Sequence, residues 1–280
     1  MDNLDFKPVQ MQSNIINSHG GLYLEFKPAE NLKKYICCYW VSPLLTDTSI
    51  YKMDLLKNEI VIPDGCIDIL FGTDKNGASC RDILVGTMSK CSIVDMEHNN
   101  IKTFGIRFYP GGLQAFIKES SDRFTDKMEL VDSLGQAVFV ELKRELSRIH
   151  NVYEKINYAN QYFTSIKREA IPWENDFQNI LYHIYNSKGT IKIKDITQQE
   201  ILSEKQLRRI IYNRVGINTK TFLKIIRFQN VIRTINLKKS AKIVDIALEF
   251  GYYDESHFIH DFYDLSSMTP SEYLKYMGKE

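Results

Sequence analysis

Lys205, Arg208, Arg209 and Tyr212 follow one another at steps of three, one and three residues, which gathers them on one side of a helix turning about 100° per residue. Leu207, Ile210 and Ile211 fall on the other side. Three cations beside a phenol can pair with phosphate oxygens, and an arginine can donate two parallel hydrogen bonds to the O6 and N7 of guanine. The chemistry of this face is recognition of a polyanion. A second set of reactive side chains lies in the amino-terminal half, in Trp40, Asp64, Cys66, Asp68 and Arg107. Carboxylates, a guanidinium, a thiol and an indole can hold a small polar ligand; an Asp and an Arg can equally tie two strands together. Both readings stand at this level.

Other chemistries find less support. The five cysteines, at 37, 38, 66, 80 and 91, are odd in number and have no C-x-x-C spacing, so they read as reduced packing residues. The alternative is a thiol or metal sensor that joins Cys66 to one of Cys37, Cys38, Cys80 or Cys91. His19 and His98 are the histidines that precede the helical half, and neither sits in a catalytic pattern. We therefore expect no catalytic residue, no metal site, no cofactor and no enzyme.

The net charge of +1 conceals an asymmetry. Residues 188–242 hold 14 Lys/Arg against 3 Asp/Glu, whereas 243–280 hold 2 against 8. A polyanion such as duplex DNA would be gripped by the first segment. No apolar run reaches the roughly 18 residues of a membrane span, and Met1-Asp2-Asn3 opens no basic-then-apolar leader. The expectation is a cytoplasmic chain with no membrane partner.

These side chains need elements to position them, and 280 residues at 44% hydrophobic and 25% charged give room for two domains. Seven short β-type runs come first: Leu22 to Phe26, Tyr35 to Val41, Glu59 to Ile62, Cys66 to Phe71, Ile83 to Val85, Ser92 to Met96 and Lys102 to Phe108. Pro63-Asp64-Gly65 between Ile60 and Phe71 reads as the turn of a hairpin. Asp68 inside its second strand either points outward or needs a buried partner. After Tyr109-Pro110-Gly111-Gly112 the pattern turns helical, and 133–149 and 151–168 read as two helices, the first with Leu134, Val138, Leu142, Leu146 and Ile149 along one face. Burial against their own domain fits better than a coiled-coil seam. Pro172 marks the boundary between a β-rich regulatory domain, 1–171, and a helical domain, 172–280.

In the helical domain Ser203-x-x-Gln206 is a capping box that opens a helix running to Val215, and Gly216 ends it. With the short helix Asp195 to Glu200 before it, this makes a helix-turn-helix. A long helix from about Thr221 to Lys238 follows. Ala247 and Gly251 suit a second such unit, in which Asp254 caps a helix presenting Ser256, Ile259, His260 and Tyr263 outward. Thr269-Pro270-Ser271-Glu272 opens a last short helix. The fold class is α+β: a β-rich, cupin-like or barrel-like domain with flanking helices, then an all-α domain with two helix-turn-helix units joined by a long helix.

Residues 243–273 carry I-x-x-I-A, G-Y-x-D, S-x-F-x-x-x-F and M-T-P-S-E-Y, and this region resembles AraC/XylS-type bacterial transcription regulators. Tyr39-Trp40-Val41, Ile62 to Phe71 and Phe104 to Gly112 are similar to a poorly characterised β-rich domain that precedes such regions. The resemblance implies a regulator of transcription that binds double-stranded promoter DNA with both units in successive major-groove segments. It also implies a small-molecule effector for the first domain, a homodimer, and contact with RNA polymerase in an activator. Lys205, Arg208 and Arg209 are the expected base readers, Tyr212, Lys220 and Lys224 the phosphate contacts, and Ser256 and His260 weaker contacts. Imidazoles titrate near neutrality, so His260 is expected to strengthen binding on acidification. The chain departs from the pattern at Thr197, where Ala is usual, at Ile201, where a turn wants Gly or Asn, and at Ser267. A β-branched residue tolerates positive φ poorly, so the turn at Ile201 is either strained or differently shaped.

Overall fold

The structure, a computed structural model, describes residues 6–10, 23–42, 58–74, 79–95, 102–237 and 243–277. His19 and His98 lie outside them. Strands form where β-branched and aromatic residues stand between turn formers: β1 (Leu24–Phe26), β2 (Ile36–Ser42), β3 (Asn58–Val61), β4 (Ile67–Thr73), β5 (Ser79–Val85), β6 (Ser92–Asp95), β7 (Lys102–Phe108) and β8 (Met128–Leu130). Six of them build one antiparallel sheet in the order β1-β2-β7-β4-β5-β8. The other two, β3 and β6, pair as a separate ribbon.

Register sorts the side chains. Tyr39, Ile106, Ile69 and Leu84 line up across four strands and are all fully buried. One residue along, Cys38, Arg107, Asp68 and Val85 form the next line, on the opposite face by the period of two. The apolar face packs on helices α1 (Ala137–Leu146) and α2 (Val152–Ile166) through Phe139, Leu142, Leu146, Ala159 and Phe163. The two helices thus bury their stripes in their own domain.

The hairpin expected around Pro63-Asp64-Gly65 does not form. The strand before that turn pairs with β6, and the strand after it pairs with β5 and β7. The turn instead docks on the carboxy-terminal half, where Gln229 donates to the Pro63 carbonyl at 2.9 Å. A tertiary contact has overridden the local hairpin signal.

The carboxy-terminal half contains α3 (Glu174–Asn186), α4 (Ile193–Gln199), α5 (Glu204–Val215), α6 (Thr219–Leu237), α7 (Ile243–Glu249), α8 (Glu255–Ser266) and α9 (Pro270–Tyr276). The local signals place their ends. Ser203 and Gln206 make the reciprocal box, Asp254 caps α8 through the His257 N–H, and Thr269 with Glu272 boxes α9 behind Pro270. The central α6 spans about 28 Å at about 1.5 Å per residue, and its Phe222, Ile225, Ile226, Val231, Ile232 and Ile235 join the core of both helix-turn-helix units. Phe6 and Ile62 enter the same core. Among the described residues no helix is long and apolar enough to cross a membrane.

Candidate nucleic-acid interface

The α5 face has the division expected of it. Leu207, Ile210 and Ile211 are buried, while Lys205, Arg208, Arg209 and Tyr212 are exposed. In front of them the turn closes with the Leu202 N–H on the Thr197 carbonyl at 3.0 Å, and Ile201 takes φ +54°. The turn is strained rather than reshaped. The Arg209 guanidinium lies 4.8 Å from the centre of the Trp173 ring, so a boundary residue that the sequence reading passed over lies against a reading residue.

The second unit presents a different surface. Ser256 and His260 are exposed on α8, yet His260 Nδ1 lies 3.6 Å from Asp264 and His257 Nε2 3.6 Å from Asp261. Lys220 is exposed. Lys224, expected to meet a phosphate, instead places its ammonium 2.8 Å from Asp261 and 2.9 Å from Asp264. Its pKa is raised: burial works against the cation, and the hydrogen bonds it donates to the two carboxylates outweigh it. His260, Asp261 and Asp264 bring three ligand-type atoms within 4.8 Å of one another, but that lysine already pairs with both carboxylates.

The last turn of α5 is fastened to the β-rich half, which the sequence reading did not foresee. A helix leaves its final carbonyls without intrahelical partners. Here Gln114 and Ser120 donate to the Asn213 carbonyl at 2.8 and 3.2 Å, Ser121 to that of Arg214 at 2.8 Å, and Thr125 to that of Gly216 at 2.8 Å. Gly216 has φ +94°, and a Cβ there would stand 2.4 Å from Thr125 Oγ1. Arg214 is buried at 1% exposure. It pairs with Glu174 at 2.9 Å, donates to the Gly111 carbonyl at 3.2 Å and lies over Phe177; Glu174 also takes Lys34 at 2.6 Å. One signal was available, because Arg214 continues the buried stripe of Leu207, Ile210 and Ile211 and a cation there demands partners.

The five candidate ligand residues of the amino-terminal half gather around one guanidinium. Arg107 binds Asp68 through Nε and Nη2 at 3.0 and 2.7 Å and stands 4.0 Å from Asp64. Asp68 thus has a cross-strand partner. Asp64 accepts from the Cys66 N–H at 2.8 Å and from Gln10 at 2.6 Å; burial pushes its carboxyl up despite Arg107. Trp40 packs with Tyr23 and Cys38 beside them, its indole 2.0 Å from where a Cβ on Gly105 would stand. The Trp40 N–H and the Tyr185 hydroxyl are buried without hydrogen-bond partners among the described residues. The Cys38 thiol is raised by its hydrogen bond with Cys37 and by burial, and that of Cys66 mainly by burial. Protonated thiols are poor nucleophiles and poor ligands.

Residues 197–276 match a family model described as a helix-turn-helix domain. Together with the I-x-x-I-A, G-Y-x-D and M-T-P-S-E-Y motifs on α7, its turn and α9, that match decides the type of this half. The carboxy-terminal domain is a helix-turn-helix domain, and its motifs are similar to those of the AraC type. Residues 24–129 match a domain of unknown function, DUF6597, which covers the sheet ahead of this helix-turn-helix domain. An uncharacterized HTH-type transcriptional regulator of Haemophilus influenzae is 23% identical over 165 residues, 58% of this chain and 51% of that protein. The chain thus spans about half the length of this curated relative. Solved structures of ToxT from Vibrio cholerae share 16% identity with TM-scores of 0.44 and 0.45, covering 79% of this chain and 94% and 95% of theirs. At that level the likeness is loose.

Proposed function

We propose that the chain is a sequence-specific DNA-binding regulator of transcription whose first helix-turn-helix does most of the reading. One observation carries this: α5 exposes Lys205, Arg208, Arg209 and Tyr212 while its other side is locked into the core. A helix held in this way can enter a major groove about 12 Å wide. Lys205, Arg208 and Arg209 reach base edges, Tyr212 and Lys220 reach phosphates, and Ser256 and His260 add weaker contacts from the acidic second unit. Lys224 serves to offset part of that unit's negative charge, at Asp261 and Asp264.

The β-rich half biases this binding by taking a small polar molecule at the Trp40, Asp64, Cys66, Asp68 and Arg107 cluster, where the buried Trp40 N–H has no partner among the described residues. A ligand that favours one docking of the two halves shifts the population able to bind DNA. A thiol-based signal is the weaker reading, since the Cys38 and Cys66 thiols stay protonated. Homodimer formation and RNA polymerase contact belong to the same proposal.

The test is selection of duplexes from a random pool by the full chain. Arg209→Ala should relax preference at one base position, a loss of about 1 to 3 kcal/mol of discrimination. If Arg208→Ala and Arg209→Ala hold the selected site as tightly as wild type while a His260 substitution abolishes binding, the reading unit is the other one.

A further inference from the structure

Among the described residues five that are not glycine hold a positive φ: Asp126, Trp173, Lys188, Ile201 and Ser267. Four have an evident compensation within the chain. Asp126 accepts from the N–H and the hydroxyl of Ser89, and Trp173 lies against Arg209. Lys188 stands over Phe250 and 3.8 Å from Glu249, and Ser267 closes α8 with its N–H on the Tyr263 carbonyl. Ile201 is the exception. It is the β-branched member of the set, and it is 92% exposed.

Both of its properties are unfavourable in the free protein. A branched Cβ in the left-handed region crowds the neighbouring backbone, and an aliphatic side chain left in water gains nothing from burial. The fold does ask for positive φ here. In the second unit the matching turn bonds Tyr252 N–H to the Ala247 carbonyl at 3.1 Å, as Leu202 bonds to Thr197 in the first, and the matching residue is Gly251 at φ +68°. Glycine meets that requirement without strain. An isoleucine kept at this position, two residues before the Ser203 cap and four before Lys205, stands at the border of the cationic face. Gln198, Gln199, Ser203 and Glu204 around it are exposed as well.

We propose that Ile201 is a specificity residue that packs on the 5-methyl group of a thymine at the edge of the site read by α5. The inference rests on α5 lying in the major groove, where the thymine methyl is the apolar feature on display. Docking would cover the side chain that water surrounds in the free protein. The strained turn then holds the branch ahead of the helix, where the arginines do not reach.

The experiment uses the full chain and its selected duplex. Each thymine opposite the α5 segment is replaced singly by deoxyuridine, which removes the methyl and nothing else. One such replacement should weaken wild type about fourfold, the worth of one buried methyl group. Ile201→Gly should bind about tenfold more weakly, ignore that replacement, and melt no lower than wild type. Wild-type affinity indifferent to every replacement, or the same loss in Ile201→Gly, overturns the role of Ile201 while α5 stays the reader. If Lys205→Ala and Arg208→Ala also keep wild-type affinity, or no duplex is selected, α5 is not the reader and this inference falls with it.

Discussion

A guanidinium that water does not reach depends on every partner it has, and Arg214 has Glu174 as its one counter-charge within 4 Å among the described residues. Glu174→Gln keeps the shape and removes the charge. It should cost about 3 kcal/mol, in the range for breaking a buried ion pair, read as a lower urea midpoint. Asp64 carries the opposite lesson. Its carboxyl is raised by burial, so its contribution to stability is complete below the ordinary aspartate range and is lost as the pH rises through the folded value. Asp64→Asn should therefore gain on wild type in melting temperature between pH 4 and pH 7. A gap that stays constant would show that Arg107 already compensates the charge.

Elements whose signals are local were legible, and those made by distant partners were not. Both ends of α5 could be read because Ser203, Gln206 and Gly216 act within one turn of the residues they cap. The partner of β3 could not, since β6 lies some thirty residues on and the intervening Asp64 turn imitates a hairpin. β8 escaped notice because Met128-Glu129-Leu130 is too short to show alternation. The candidate reading face was legible for the same local reason as α5. The residues that fasten it were not, because Ser120, Ser121 and Thr125 bind carbonyls about ninety residues away, and a carbonyl has no sequence signature. At α9 the box predicts a measurable dependence. Thr269→Ala should lower stability by about 1 kcal/mol. The Glu272 carboxyl is held below its ordinary value by the Thr269 N–H and hydroxyl, so its share is present above the usual carboxylate range and vanishes as the pH falls through the lowered value. Thermal melts at pH 7 and pH 3 of wild type and Glu272→Gln should converge at the lower pH.

Across the whole molecule the two halves meet along hydrogen bonds to the end of the reading helix, the hydrogen bond from Arg214 to the Gly111 carbonyl, the Lys34–Glu174 ion pair, and Phe6 stacked on Tyr185 with centroids 4.6 Å apart. Removing two of those bonds in Ser121→Ala with Thr125→Ala should weaken docking by about 1 kcal/mol for each. Hydrogen exchange would report it as faster exchange in the last turn of α5, with the α6 amides unchanged. Equal acceleration in both helices would mean that the halves unfold as one unit instead.

Val9 and Gln229 hydrogen bond across 220 positions of chain. During translation at about 5 to 20 residues per second, the first of them waits roughly 10 to 45 s for the second to be made. Assembly of this joint therefore waits until α6 has been made, and a stop codon upstream of Gln229 would strand Phe6, Val9 and the Pro63 carbonyl. A bulky fusion at the front end should interfere with the joint more than one at the back.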